Sequence, residues 1–260
     1  VIDVSAVIPA RNEEGNIPSL MGEIAAALQG RYEFEIIVVD DGSSDDTFAC
    51  ISRTAKQLGC RAQAVRHDAS YGQSTAVMTG VRAARGRLIA TLDGDGQNDP
   101  ADLPAMLEKA FSLQAPHFCI AGHRWQRKDT AWKRFQSRLA NRVRDALLHD
   151  GVPDTGCGLK VLPRNTFLML PWFDHGHRFM PALVRYIGGQ IEVMPVRHRD
   201  RQQGKSNYTA WNRAWVGIVD LCGVLWLSRR IRRAQVVETV VSDEPATSKD
   251  AASEIGIGNS

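Results

Sequence analysis

The chain has 260 residues, of which 43% are hydrophobic and 23% charged, and a net charge of +3. It is long enough to bury a large core and too evenly balanced to be a disordered or fibrous chain. Five cysteines, at 50, 60, 119, 157 and 222, form no CxxC pair and leave one over, so they read as reduced core residues of a cytoplasmic protein.

Apolar runs and helical patterns alternate from the start. Val4 to Ile8 predicts a strand, stopped by Pro9, and a helix follows from about Ile17 to Leu28. Glu35 to Val39 is the second strand, ending at Asp40-Asp41-Gly42. Ser43 to Asp46 offer capping oxygens to a helix that runs to about Leu58, with Gly59 past its end. Residues 62–66 make a weak third strand, and Gly72 to Ala84 a helix closed by Gly86. Leu88 to Leu92 is the fourth strand, and Leu103 to Leu113 reads as helical. Alternation at this spacing implies an α/β fold with a parallel sheet covered on both faces.

Further on, Phe118 to Ala121 predicts a strand and Ala131 to Leu148 a helix. Trp132, Phe135, Leu139, Val143 and Leu147 share one face of that helix, and Arg134, Arg138 and Arg142 make a basic stripe on another. Asp174-His175-Gly176-His177 reads as loop-shaping, without metal spacing. Gln190 to Val196 is a late strand, His198 to Asn207 a charged loop and Tyr208 to Ile231 a final helix. From Ser242 the composition turns polar and small, which reads as a disordered tail. The first residue is Val rather than Met, suggesting that a few starting residues are missing, and no signal peptide is visible. The longest low-charge run near the C-terminus, Ala214 to Leu227, is interrupted by Asp220 and is too short for a confident membrane span.

The densest chemistry lies at the predicted end of the fourth strand, Asp93-Gly94-Asp95-Gly96-Gln97. Two carboxylates and an amide oxygen within five residues form a hard oxygen site suited to Mg²⁺ or Mn²⁺ holding a diphosphate. An EF-hand loop is excluded, because its sixth position would be Asn98 and its twelfth Pro104. Three other strand ends carry polar loops, at residues 9–14, 40–47 and 67–73. Ligands of open α/β sheets bind at such ends. No Gly-x-Gly-x-x-Gly and no P-loop lysine is present, which argues against a dinucleotide enzyme or an ATPase.

Charge is unevenly placed. Two segments, His123 to Arg144 and Arg197 to Arg233, each carry +7, and on a chain of net +3 that leaves −11 elsewhere. Such clustering points to an anionic partner met at a definite place. In the last helix Trp211, Trp215, Ile218, Val219, Cys222, Leu225 and Trp226 recur at three- and four-residue steps, followed by Arg229, Arg230, Arg232 and Arg233. That pattern suits a helix lying at an anionic membrane surface, the alternative being an ordinary core helix.

Taken together, residues 7–13, 38–43, 93–97, 154–160 and 198–206 resemble glycosyltransferase family 2, and within it the dolichyl-phosphate mannosyltransferase-like, polyprenyl-phosphate glycosyltransferases of bacteria. The resemblance implies a GT-A, Rossmann-like, mostly parallel sheet with helices on both faces, over residues 1–207. Residues 208–233 would form an amphipathic membrane-associating helix and 234–260 a disordered tail. It places the nucleotide-sugar against Pro9, Ala10, Arg11, Asn12, Glu13, Val38, Asp40, Asp41, Gln73, Asp93, Gly94 and Asp95. It makes Asp93, Asp95 and Gln97 the ligands of Mg²⁺ or Mn²⁺, and Asp95, Arg124 and Arg199 the catalytic groups. The acceptor phosphate falls to Arg124, Arg134, Ser137, Arg138, Arg199, Arg201, Lys205 and Ser206. Asn207 departs from the lysine usual at that position.

The implied reaction is inverting transfer from a UDP- or GDP-sugar to a polyprenyl phosphate, for cell-envelope glycan or lipid A modification. The alternative is a family 2 enzyme acting on a saccharide or protein, which would need a base for its hydroxyl acceptor. A nucleic-acid partner is not expected, since it would not explain acidic strand ends beside the basic segments. Many relatives carry transmembrane helices after this point. Their absence here implies peripheral attachment at the cytoplasmic face, a membrane partner subunit or a homo-oligomer.

Overall fold

The structure, a computed structural model, describes residues 1–124, 144–200 and 210–230, without the side chains of 210–216. Strands β1 (Val4–Ala10), β2 (Phe34–Asp40), β3 (Arg61–Arg66), β4 (Leu88–Thr91), β5 (Phe118–Arg124), β6 (Lys160–Pro163) and β7 (Gln190–Val196) form one sheet in the order β3-β2-β1-β4-β6-β5-β7. The strands from β3 to β4 in that order run parallel, β6 is antiparallel to both β4 and β5, and β7 is parallel to β5. The helices are α1 (Ile17–Leu28), α2 (Thr47–Gln57), α3 (Gln73–Ala83), α4 (Leu103–Ser112), a helical stretch at residues 144–148 (α5), α6 (Arg164–Met169), α7 (Met180–Tyr186) and α8 (Ala210–Ser228).

Period-two alternation along the strands builds a core on each face. Val4, Ala6 and Ile8 of β1, Ile36 and Val38 of β2 and Leu88 and Ala90 of β4 pack with Leu20 and Ile24 of α1 and Met106 and Leu107 of α4. Val7, Ile37, Val39 and Ile89 point the other way, onto Val77 and Val81 of α3, Phe167 of α6, Leu183 of α7 and Val224 of α8. The chain winds outward from β1 to β3, then returns to β4 on β1's other side. The crevice between the ends of β1 and β4 is therefore the switch point of the sheet, where a ligand can enter.

Several expectations are refined. β1 runs through Pro9 to Ala10 instead of stopping at Pro9. The Val7 carbonyl accepts from Leu92 N–H on the β4 side and the Ala10 carbonyl from Asp41 N–H on the β2 side. By alternation the Pro9 nitrogen faces β4, whose pairing has ended at Val7–Thr91, so its missing N–H breaks no ladder bond. At α2 the cap comes from Asp45, whose Oδ1 accepts from Thr47 N at 3.1 Å and Thr47 Oγ1 at 2.5 Å. β6, α6 and α7 are additions to the expected elements, and residues 176–178 form a 3₁₀ turn. The expected helix at 131–148 is described over 144–148 alone. There the buried face carries Arg144 and Leu148, while Leu147 is exposed. All five cysteines are free, but only Cys119 and Cys157 are buried, and Cys222 is exposed on α8.

One polar knot sits inside the sheet. Glu35, 4% exposed, accepts from Ser5 Oγ and from Arg85 N–H, both at 2.6 Å, and Ser5 Oγ accepts from Gly86 N–H at 2.9 Å. A Cβ at Gly86 would lie 2.6 Å from Ser5 N, so the α3–β4 turn needs glycine there to reach the knot. Glu35→Ala strands one buried and one partly buried donor and should cost about 2 kcal/mol in urea unfolding. Glu35→Gln, which keeps one acceptor oxygen, should lose less than half as much.

Candidate active site

The loops after β1 and β2 are fastened to each other. Asn12 N–H donates to Ser43 Oγ at 3.0 Å, Asn12 Oδ1 accepts from Ser44 N–H at 2.9 Å, and Glu13 N–H donates to Thr47 Oγ1 at 2.9 Å. Asn12 adopts φ +56°, a left-handed conformation that asparagine tolerates. Arg11 stands exposed beside them, and Pro9 and Ala10 are buried at the strand end.

The acids of the β2 loop divide their work. Asp40 is fully buried, its Oδ1 accepting from Ser43 N–H at 3.0 Å. Its Oδ2 lies 3.2 Å from Arg66 Nε but has no aligned donor. Asp41 instead spends both oxygens on the loop after β3, accepting from His67 Nδ1, Ser70 Oγ, Tyr71 N–H and Gly72 N–H at 2.8–2.9 Å. Burial opposes its charge, but these bonds outweigh burial and hold the Asp41 carboxyl below its usual range. Asp41 is thus an anchor for the start of α3, with both carboxylate oxygens engaged by the protein. Val38 has its side chain fully buried in the core.

Beyond β4 the chain turns sharply under β1. A Cβ at Gly94 would lie 2.7 Å from the Pro9 carbonyl, so only glycine lets the two strand ends approach this closely. Asp93 N–H donates to Asn98 Oδ1 at 2.8 Å, and Asp95 Oδ1 accepts from Gln97 N–H at 3.1 Å. Gln73, the first residue of α3, donates to Asp93 Oδ1 at 2.8 Å. Burial, and then the charge of Asp95, push the Asp93 carboxyl up to about 6, against the pull of Lys160, Arg124 and the Gln73 amide. With the Gln97 amide these two acids offer a hard oxygen set. That fits a divalent cation of the Mg²⁺ or Mn²⁺ type. Among the described residues no three His, Cys, Asp or Glu side chains converge to form a closed cage. An open set of this kind leaves positions for substrate phosphates.

The opposite wall is the segment from Asp154 to Lys160. Arg124, at the end of β5, makes a two-pronged pair with Asp154, Nε to Oδ2 at 2.6 Å and a terminal nitrogen to Oδ1 at 2.7 Å. Gly158 faces the Asp93 carboxyl so closely that a Cβ there would overlap it. Lys160, 2% exposed, donates to the carbonyls of Thr155 and Cys157 and so pins this segment from below. Arg144, counted in the basic segment, is buried and tied to Asp150, Thr155 Oγ1 and the Val152 carbonyl. It supports the loop and cannot meet an anion.

Arg199 stands differently from expectation. Its guanidinium pairs with Glu23 of α1 and, at 2.7 Å, with Asp99. The other expected acceptor groups, Arg134, Ser137, Arg138, Arg201, Lys205 and Ser206, lie outside the described residues. The sequence reading gave no site role to Lys160, Gly158 or His177. His177 and Lys160 line a small cavity together with Pro9, Gln73, Asp93 and Met180. The His177 Nδ1 is 2.7 Å from Ser74 Oγ, and burial first, then the charges of Lys160, Arg178 and His175, keep the imidazole well below its usual range. A lone lysine inside the run Leu159-Lys160-Val161-Leu162 was the available signal for one of these.

Comparison with known proteins agrees with this geometry. A dodecaprenyl-phosphate galacturonate synthase of Rhizobium johnstonii is 33% identical over 232 residues, covering 88% of this chain and 68% of the relative. An undecaprenyl-phosphate 4-deoxy-4-formamido-L-arabinose transferase of Pseudomonas paraeruginosa is 35% identical over 210 residues, 80% of this chain and 60% of the relative. The chain thus spans about three fifths to two thirds of the length of these relatives. Among solved structures, glucosyl-3-phosphoglycerate synthase from Mycobacterium tuberculosis with Mg²⁺ and uridine diphosphate superposes with TM-score 0.65 at 18% identity, covering 90% of this chain and 81% of that one. Mannosyl-3-phosphoglycerate synthase from Rubrobacter xylanophilus does so with TM-score 0.65 at 18% identity, over 92% and 79% of the two chains. These two establish the GT-A fold. The profile of Glycosyl transferase family 2 matches residues 5–168, and the chain belongs to that family of glycosyltransferases.

Proposed function

We propose that this glycosyltransferase moves a sugar from a nucleoside diphosphate donor to a polyprenyl phosphate at a membrane surface. The observation that carries the reading is the meeting of opposite chemistries across one opening. Asp93 and Asp95 form one wall, and Arg124 on Asp154 forms the other, close enough that Arg124 acts on the Asp93 carboxyl. The relatives that match 80% or more of the chain are named for prenyl-phosphate acceptors, which fits the basic segments.

On this reading the buried Oδ2 of Asp40 is the acceptor for an N–H of uracil or guanine, beside Pro9 and Arg11. Asp93, Asp95 and Gln97 hold the metal. Bound Mg²⁺ or Mn²⁺ would neutralise charge on the departing diphosphate. A lipid-phosphate oxygen forms the new bond to the anomeric carbon as the bond to the diphosphate breaks, and the nucleotide leaves with the electron pair. A phosphate monoester has a second pKa of about 6, so this oxygen is already ionised at neutral pH. Arg124, with Arg134, Ser137, Arg138, Arg201, Lys205 and Ser206, screens the two anions from each other. Arginine suits this role because its planar fork grips phosphate and keeps its charge.

α8 supplies the membrane contact in this proposal. It packs inward through Leu221, Val224 and Leu225, and leaves Ile218, Val219 and Trp226 exposed, with Arg229 and Arg230 at its end. Arg230 lies 5.6 Å from the Trp226 ring centre. No helix among the described residues is long and apolar enough to cross a membrane. An outward apolar stripe ending in arginines matches a helix lying in the headgroup layer of an anionic cytoplasmic leaflet.

A donor panel tests the proposal: detergent-solubilised protein, undecaprenyl phosphate, Mn²⁺ or Mg²⁺, and labelled UDP- and GDP-sugars, scored for organic-extractable product. Product with one donor is expected, and none with any donor rejects the acceptor. Asp95→Ala should remove Mn²⁺-stimulated transfer with an unchanged circular dichroism spectrum; retained, chelator-sensitive turnover would refute the metal set. Gly158→Ala should displace the Asp93 carboxyl and lower turnover by about 10²-fold, the scale of a misplaced reacting group. Ile218→Glu with Trp226→Glu should reduce binding to phosphatidylglycerol vesicles by about tenfold or more in co-sedimentation, given the apolar area removed from the bilayer.

A further inference from the structure

The exit of β7 is stapled to the acidic motif. Arg199 N–H donates to the Gln97 carbonyl at 2.9 Å, Gln97 Nε2 approaches the Arg199 carbonyl at 3.4 Å, and Asn98 bridges His198 in antiparallel fashion. The Asn98 side chain in turn accepts from Asp93 N–H. Side chains reinforce this backbone contact. Asp99, 5% exposed, has its Oδ1 on Arg199 at 2.7 Å and its Oδ2 3.3 Å from Arg197 Nε. The second arm of Arg199 reaches Glu23, in the middle of α1.

A carboxylate as buried as Asp99 is costly without a paired cation. Arg199 supplies that charge and also ties three parts of the chain, namely α1, the loop after the acidic motif and the segment leaving β7. Both terminal guanidinium nitrogens are engaged by carboxylates. Removing the Arg199 side chain would leave the Asp99 carboxylate with Arg197 as its cation beside the Ala101 N–H, and would let the 198–199 segment that holds the Gln97 carbonyl drift. Gln97 is the third oxygen of the proposed metal set, so the drift would be felt there first.

Resting on the donor-site reading above, we infer that Arg199 is a positioning residue of the metal–diphosphate corner, held by Glu23 and Asp99, and not a ligand of the acceptor phosphate. The two roles separate in binding and kinetics. Calorimetry of Mn²⁺ with UDP, and with GDP in parallel, measures the donor corner with no lipid present. Arg199→Ala should weaken nucleotide–Mn²⁺ binding about tenfold and raise the Mn²⁺ needed for half-maximal transfer by a similar factor, the range for groups coupled in one network. The KM for undecaprenyl phosphate should stay within about twofold. Glu23→Gln, which leaves the Arg199 guanidinium in place and removes one of its two carboxylate partners, should shift nucleotide–Mn²⁺ binding in the same direction by a smaller factor. Arg199→Lys, a point charge able to serve one carboxylate, should fall between alanine and wild type.

Nucleotide–Mn²⁺ binding at the wild-type level in Arg199→Ala, with a raised lipid KM, would overturn the inference and return Arg199 to the acceptor. If Arg199→Ala loses its fold, Glu23→Gln decides, and unchanged binding in that variant overturns the inference. A wild-type chain that binds neither nucleotide with Mn²⁺ would instead bring down the donor-site reading itself.

Discussion

Two like charges forced together at the end of a buried strand govern this molecule. Asp93 leaves β4 inside the crevice with Asp95 one residue away. Burial, and then the charge of Asp95, oppose ionisation of Asp93, and Lys160, Arg124 and Gln73 offset only part of this. The fold does not relieve the conflict by spreading the acids apart. It spends Gly94 and Gly158 on letting backbone come close around them. A pair held in tension in this way is poised to gain when a divalent cation arrives, because the cation cancels the repulsion that folding leaves in place.

The surrounding network makes sense as a means of fixing where those oxygens point. Asp41 clamps the loop that begins α3, and α3 then presents Gln73 to Asp93. Lys160 clamps the carbonyls of 155 and 157, which positions Gly158 against the same carboxyl and Asp154 against Arg124. Asn98 holds the Asp93 amide, and 198–199 hold Asn98 and Gln97. Each clamp uses a charged or amide group whose partners are mostly backbone. Backbone partners move less than side chains, so the geometry is set by the sheet rather than by rotamer choice.

The sequence was most legible where structure is local. β7 and α1 lie over the residues that period and capping predict, because each carries its own hydrophobic pattern. The acidic motif stood out as chemistry because three oxygen groups fall within five residues. β6 was not legible: four residues with a lysine in first place carry too little pattern, and antiparallel insertion between β4 and β5 is decided by pairing far along the chain. α6 and α7, at six and seven residues, are as short. The partners of Asp41 and Arg199 were not legible for a related reason. Composition showed an acid among acids and an arginine among arginines, whereas Arg199 is defined by Glu23, 176 positions away. In α8 Ile218, Val219 and Trp226 are exposed, whereas Leu225, on the same sequence period, turns toward the core with Val224.

The treatment of protons ties the site to its acceptor. A sugar or serine hydroxyl must lose a proton during transfer, and a site built for it keeps a base with a pKa near neutrality at hand. The imidazole that lines the same cavity as Asp93 does not meet that need. His177 is kept neutral by burial and by the neighbouring charges of Lys160 and Arg178, with its Nδ1 committed to Ser74. Its environment lowers proton affinity, which makes it a poor acceptor for a proton released at the crevice. A phosphate needs no such help, since it arrives as an anion. What it needs is positive charge that does not titrate, and Arg124, locked on Asp154, is of that kind. Among the described residues, the fixed charge of Arg124 and the neutral His177 are in keeping with an acceptor that is already ionised, as the proposed reaction requires.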